Sequence, residues 1–342
     1  MNLNQRINAF VELGTKLKGP ARIEEISNLI EDARHFNPWF TNENMESAIN
    51  AIAESLTKEK LEKWLKPYVQ KIEESQKPKR IGVIMAGNIP LVGFHDFLCV
   101  LISGNQFLGK LSSVDRILLP KLSEVLIEIE PEFKEIINFT EEKLEDFDAI
   151  IATGSNNTSR YFEAYFSKYP NIIRKNRNGI AVLAGNESPE QLELLADDVF
   201  LYFGLGCRNV SKLFVPKNYD FATMMEAFKK YEEYSNHNKY FNNYEYNKAI
   251  YLVNSDQHYD NGFVLLKEDN RFSSPISVLY FEYYDDLSAL KTYLDEKVEE
   301  IQCIVADSKV FTNSVEFGKA QHPELWDYAD GIDTMEFLFN VK

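Results

Sequence analysis

From Lys79 onward the chain alternates short apolar runs with breaks rich in Gly, Asn and Pro, and this alternation restricts the fold more than any other feature. The runs "RIGVIMAGN", "FLGKLSS", "EIINFT" and "DAIIATGS" read as strands, and "PLVGFHDFLCVLISG" and "PKLSEVLIEIE" between them read as helices. Strands this apolar are buried on both faces. Interleaved helices cover both faces in a parallel, doubly wound sheet, so an α/β class is expected.

Two packed units suit a chain of 342 residues that is 44% hydrophobic. Residues 1–78 read as a helical N-terminal segment. There "RIEEISNLIEDARHF", "NENMESAINAIAESL" and "KEKLEKWLKPYVQKIEES" space apolar residues three and four apart, with Asn42 and Thr57 as caps. Residues 79–184 are expected to form one α/β domain and 185–342 a second, with a cleft between them. The second begins near "GIAVLAGNESPEQLELLADDVFLYFG", again strand, turn and capped helix. The Tyr- and Asn-dense "KKYEEYSNHNKYFNNYEYNKAIYLV" reads as a surface helix or loop before a strand.

The formal net charge of −16 opposes binding to nucleic acid or anionic lipid, so neither is expected as a partner. The opening residues lack the apolar core of a signal peptide, and no stretch approaches the ~20 apolar residues of a membrane span. The expected location is cytoplasmic. Three widely separated cysteines, Cys99, Cys207 and Cys303, form neither a disulfide framework nor the paired spacing of a zinc site, and no His/Asp/Glu cluster has metal-ligand spacing. No metal is expected.

Cys207 stands out in "YFGLGCRNVSKLFV", at a turn behind Gly204 and Gly206 and ahead of Arg208-Asn209 and an apolar strand. A thiol there can act as a nucleophile with adjacent backbone N–H groups stabilising an oxyanion; it can equally be a small apolar side chain at a strand entrance. Asn88 in "IMAGNIPLVGF" follows a strand, where its amide either faces a ligand or satisfies its own turn. Lys110, followed by Ser112 and Ser113, ends the next strand and can reach a ribose or phosphate, or remain a solvated lysine. Gly154-Ser155 in "IIATGSNNTSRYFEAYF" opens a helix whose N–H groups can form an anion site or simply be capped. His95 and His322 read as structural hydrogen-bonders beside aromatics. Neither the GxGxxG fingerprint nor a P-loop occurs.

Taken in order, "AGNIPLVGFHDFLCVLISGNQFLGKLSS", "IIATGSNNTSRYFEAYFSKYPNIIRKNRNGIAVLAGNES", "YFGLGCRNVSKLFVP" and "AQHPELWDYADGIDTMEFL" resemble the LuxC-type acyl-CoA reductase (fatty acid reductase) family, a branch of the aldehyde dehydrogenase superfamily. The resemblance runs from about residue 79 to the C-terminus. It implies an aldehyde-dehydrogenase-like fold of two α/β domains with parallel sheets and a helical lead-in, with 79–184 as the nucleotide-binding domain on which the 1–78 segment packs and 185–342 as the catalytic domain. By position, Cys207 matches the acyl-accepting nucleophile and Asn88 the amide of the oxyanion hole. Lys110 matches the lysine on the adenosine ribose, and Gly154-Ser155 the turn facing the cofactor phosphates. The superfamily binds its nucleotide without GxGxxG.

Three departures shape the expected function. Where hydrolytic relatives place a water-activating Glu, this chain reads "IIRKNRNGIAV", without a carboxylate, which favours thioester exchange and reduction over acid formation. Ser113 replaces a carboxylate that would repel a 2′-phosphate, which leans towards NADPH, with NADH as the alternative. Arg271 in "NRFSSPISVL" stands near the position of a ribose-binding Glu. The resemblance thus implies NADPH-dependent reduction of acyl-CoA, or another activated acyl donor, to fatty aldehyde through an S-acyl-cysteine. Its rivals are an acid-producing aldehyde dehydrogenase and a noncatalytic acyl-accepting subunit beside an acyl-activating synthetase. A homodimer is left open.

Overall fold

A computed structural model of the chain describes residues 1–19, 22–74 and 77–341. These residues form two compact units, Met1–Asn176 together with the segment from Glu324, and Arg177–Pro323.

The first unit opens with helices α1 (Leu3–Leu17), α2 (Glu24–Phe36), α3 (Asn42–Ser55), α4 (Lys58–Leu65) and α5 (Val69–Glu74). Thr57 caps α4 as expected, whereas α3 is capped by Thr41, and Asn42 is already its first helical residue. The last predicted helix breaks between α4 and α5, where Pro67 cannot donate to the helical ladder. There follow β1 (Arg80–Ile84), α6 (Phe94–Ile102), β2 (Gln106–Lys110), α7 (Leu118–Ile129), β3 (Ile137–Thr140), β4 (Ala149–Thr153), α8 (Asn156–Phe166) and β5 (Asn171–Arg174). The sheet is parallel throughout, in the order β3-β2-β1-β4-β5. The chain winds outward from β1 to β3 and then crosses to β4, so the strand order reverses beside β1.

The helical lead-in shares the core of this sheet. Phe10 of α1 meets Phe97 of α6 edge-on at 6.5 Å and Phe133 at 5.7 Å, and Phe97 meets Phe107 of β2 at 5.0 Å. All four rings are fully buried. Each contributes roughly 1.5–3 kcal/mol by leaving water, before the entropy of ordering is counted.

The second unit comprises β6 (Asn178–Val182), α9 (Pro189–Phe200), β7 (Val210–Pro216), α10 (Phe221–Ala227), α11 (Asn238–Asn254), β8 (Tyr259–Asp260), β9 (Leu265–Glu268), β10 (Val278–Tyr284), α12 (Leu287–Glu296) and β11 (Ile301–Val305). Its sheet runs β11-β6-β7-β10-β9-β8, parallel except for the antiparallel edge β8. The Tyr-rich segment is a run of 3₁₀ turns leading into α11, and it buries Tyr240 and Tyr244.

The chain then returns to the first unit, ending in α13 (Thr334–Phe339). Trp64 Nε1 donates to Tyr328 Oη at 2.7 Å and Tyr68 Oη to Asp333 at 2.6 Å. Arg174 grips Asp96 with both Nη atoms, at 2.5 and 2.8 Å, and Nη2 also reaches Thr334 Oγ1. His95 Nε2 donates to the Leu325 carbonyl at 2.9 Å, and burial lowers its pKa, so the imidazole is a structural donor, as its sequence context suggests. The units therefore divide at Asn176/Arg177, ahead of the sequence boundary at 184/185, and the residues from Glu324 pack with the first unit.

Candidate functional site

Because the first sheet is parallel, the carboxyl ends of its strands share one edge. The register pairs Ile84 with both Lys110 and Ala152, so the residues just past β1, β2 and β4 come out side by side. That edge carries Asn88, Lys110, Ser112, Ser113, Gly154 and Ser155, and the strand order reverses there between β1 and β4, the position at which open α/β sheets bind ligands. Asn88, Ser113 and Ser155 are exposed, and Lys110, Ser112 and Gly154 are half-buried.

Local chemistry fixes each of these. Ser155 caps α8 by accepting from Thr158 N at 3.3 Å, leaving the other first-turn N–H groups directed out of the helix end. Lys110 Nζ donates to the carbonyls of Glu141 and Glu142, at 3.0 and 2.7 Å. Gly87 is a close approach: a Cβ there would lie 2.6 Å from Ser112 Oγ. Sequence reasoning missed Asn37. This buried C-cap of α2 donates from Nδ2 to the carbonyls of Gly87 and Val114, at 3.4 and 3.3 Å, and so ties two of the edge loops together. Only its position at the end of an amphipathic helix hinted at it.

In the second unit Cys207 occupies an exposed turn between α9 and β7. Three consecutive left-handed residues lead into it, Tyr202 (φ 57°), Phe203 (φ 58°) and Gly204 (φ 73°). Two of them carry bulky side chains, a conformation costing on the order of 1–3 kcal/mol each and held only where surroundings enforce it. The enforcement is visible: Phe203 is buried against Tyr234 at 4.2 Å and His237 at 4.4 Å.

The turn itself is built on Asn209, which sequence reasoning passed over. Its backbone N–H donates to the Gly206 carbonyl at 3.1 Å, and its Oδ1 accepts from Gly206 N at 2.8 Å. Nδ2 donates to the carbonyls of Asp198 (3.1 Å), Val199 (3.3 Å) and Leu201 (2.8 Å) at the end of α9. One buried amide therefore satisfies orphan helix carbonyls and fixes the backbone around the cysteine. Gly179 of β6 lies directly beneath, where a Cβ would sit 2.5 Å from the Arg208 carbonyl oxygen.

Charge is also arranged around the turn. Arg208 Nε donates to the Ala320 carbonyl at 2.5 Å. Buried Asp198 accepts from Gly318 N and Ala320 N, at 2.7 and 2.8 Å, and burial pushes its carboxyl up to about 7 despite those bonds and the pull of Arg208. Burial also raises the other two thiols, Cys303 to about 11 and Cys99 well above its usual range. Cys207 alone of the three is exposed.

Arg271 is bound within the unit, with Nε and Nη2 on Asp269 at 2.8 and 2.6 Å and Nη2 on Tyr280 Oη at 2.8 Å. His322 is exposed. A cavity of about 40 Å³ touches Phe203, Ser211 and Tyr240, whose hydroxyl has no partner; it has room for water but not for an acyl chain. A cleft of about 560 Å³ near Arg6, Ser103 and Gly104 opens at the amino-terminal edge of the first sheet, opposite the edge carrying Lys110. Among the described residues no group of His, Cys, Asp and Glu could hold a metal, and no helix is long and apolar enough to cross a membrane.

The profile of the acyl-CoA reductase (LuxC) family matches residues 15–234, reaching back into the helical lead-in and forward past Cys207. A search of curated proteins gave no match. Aldehyde dehydrogenase 21 from Physcomitrella patens, solved with succinate, is 12% identical, with 99% of this chain and 84% of that one covered and a TM-score of 0.64. An acetylating aldehyde dehydrogenase from Geobacillus thermoglucosidasius is 12% identical over 95% and 86% of the two chains, with a TM-score of 0.63. The NAD+ complex of an aldehyde dehydrogenase from Bacillus cereus is 12% identical over 90% and 72%, with a TM-score of 0.56. At such identities the shared feature is the fold.

Proposed function

Given that the chain belongs to the LuxC family of acyl-CoA reductases and has the aldehyde dehydrogenase fold, we propose that it reduces fatty acyl thioesters to fatty aldehydes with NADPH, through an S-acyl intermediate on Cys207. The observation that carries this reading is the cysteine turn: the one exposed thiol sits on an Asn209-braced turn that follows three left-handed residues, while the other two are buried.

In this reading the Cys207 thiolate attacks the thioester carbonyl carbon, and the tetrahedral oxyanion is held by the Asn88 amide and the Cys207 backbone N–H. One such donor is typically worth about 3 kcal/mol. The carbon–sulfur bond to CoA breaks, CoA leaves as its thiol after taking up a proton, and the acyl group stays on Cys207. When bound, NADPH supplies the hydride that reduces this thioester. Collapse of the resulting thiohemiacetal releases aldehyde and returns the Cys207 thiol.

In this reading the carboxyl edge of the first sheet holds the nucleotide. Lys110, Ser112 and Ser113 would meet the adenosine ribose, and Gly154-Ser155 with the N-terminus of α8 would meet the phosphates. The 171–182 segment carries no carboxylate to activate water, which favours reduction over hydrolysis.

Mass spectrometry after incubation with acyl-CoA, without reductant, tests the intermediate. An acyl adduct on Cys207, absent in Cys207→Ala, is expected; an adduct elsewhere, or none, contradicts the reading.

A further inference from the structure

The proposed nucleotide edge carries an ion pair with no role in the function above. Arg116 Nη1 lies 2.7 Å from Glu141 Oε2, and both side chains are about half exposed. Arg116 follows a turn closed by Asp115 N donating to the Ser112 carbonyl at 3.2 Å, and Asp115 Oδ1 accepts from Leu118 N at 3.2 Å at the start of α7. Ser113 and Arg116 therefore ride on one short, anchored segment. Glu141 leaves the end of β3, and the bonds from Lys110 Nζ to the Glu141 and Glu142 carbonyls pin the start of that loop against the end of β2. Lys110 at the end of β2, Ser113 and Arg116 on the loop that follows it, and Glu141 on the loop after β3 are thus tied together by these bonds.

The two members of that pair favour opposite ribose substituents. A guanidinium matches a phosphate with paired N–H groups, whereas a carboxylate accepts from a 2′-hydroxyl and repels a 2′-phosphate. Sequence alone shows the carboxylate missing at Ser113; the fold returns one from β3, together with the arginine that neutralises it.

We propose that Arg116 and Glu141 set the choice between NADPH and NADH, Arg116 exchanging Glu141 for the 2′-phosphate and Glu141 competing against it. The exchange is favourable because a half-exposed ion pair is cheaply broken, while a phosphate brings more charge and more acceptor oxygens than the carboxylate it displaces. This rests on the reading that the Lys110 edge holds the adenosine ribose.

Calorimetric titration with 2′,5′-ADP and with 5′-AMP tests it without turnover. Arg116→Ala is expected to weaken 2′,5′-ADP about 10- to 100-fold and leave 5′-AMP within about twofold, with Arg116→Lys in between. Glu141→Gln is expected to tighten 2′,5′-ADP several-fold and spare 5′-AMP. Unchanged 2′,5′-ADP affinity in Arg116→Ala, or equal weakening of both nucleotides, overturns the proposal. A wild-type protein that binds neither nucleotide refutes the nucleotide edge itself, a result distinct from a binding wild type with an indifferent Arg116.

Discussion

Asn209 holds the Gly206 amide with Oδ1 and the Leu201 carbonyl with Nδ2, each at 2.8 Å, so one side chain downstream of Cys207 fixes the backbone that leads into it. Asn209→Ala removes these bonds and leaves buried carbonyls at the end of α9 without partners, each costing about 1–3 kcal/mol. The expected result is a lower thermal midpoint and a changed rate of Cys207 alkylation by iodoacetamide. Unaltered alkylation in a folded Asn209→Ala protein would separate this residue from the cysteine turn.

Gly179 supports the same turn from below. A Cβ there meets backbone oxygens of Arg208 and Asn209 at 2.5 and 2.6 Å, atoms that cannot rotate away. Gly179→Ala is expected to cost about 1–3 kcal/mol by overpacking and to displace the turn. Denaturation midpoints and the alkylation rate, compared with wild type, measure both effects.

Asp198 gives a pH signature. Its folded pKa of about 7 lies above the unfolded value near 3.8, chiefly through burial, with Asp197 also raising it and Arg208 and the Gly318 and Ala320 amides lowering it. Between those values the folded state retains a proton that the unfolded state has lost. The group therefore contributes most stability below about pH 4, and the contribution falls away as pH rises through about 7. From pH 5 to 8 the stability of wild type relative to Asp198→Asn is expected to fall by about 3 kcal/mol. Parallel pH profiles of the two thermal midpoints would contradict this.

In the first unit Asp96 and Arg174 form a buried, two-point ion pair. Removing one partner strands the other charge, so Asp96→Ala is expected to cost about 3–5 kcal/mol, and Asp96→Leu with Arg174→Met considerably less. Thermal midpoints of the single and double variants check the order.

Legibility in the sequence followed periodicity. The strands around "RIGVI" and "AIIAT" and the thiol at a glycine turn were readable because burial and turn chemistry act on neighbouring residues. Asn37 and Asn209 were not, since what distinguishes them is bonding to carbonyls reached only after folding. The place of the residues from Glu324 was hidden for the same reason: Tyr328 and Asp333 meet Trp64 and Tyr68 across most of the chain's length. The missing carboxylate at Ser113 was legible, and Glu141 beside Arg116 was not, because β3 brings it there.

The most direct test of the central claim is NADPH consumption with a series of acyl-CoA thioesters, with the aldehyde trapped and identified, for wild type and Cys207→Ala. The account expects NADPH loss matched by aldehyde in the wild type and abolished in the variant. Aldehyde formation that survives in Cys207→Ala, or a wild type that becomes acylated on Cys207 yet consumes no NADPH, would contradict it.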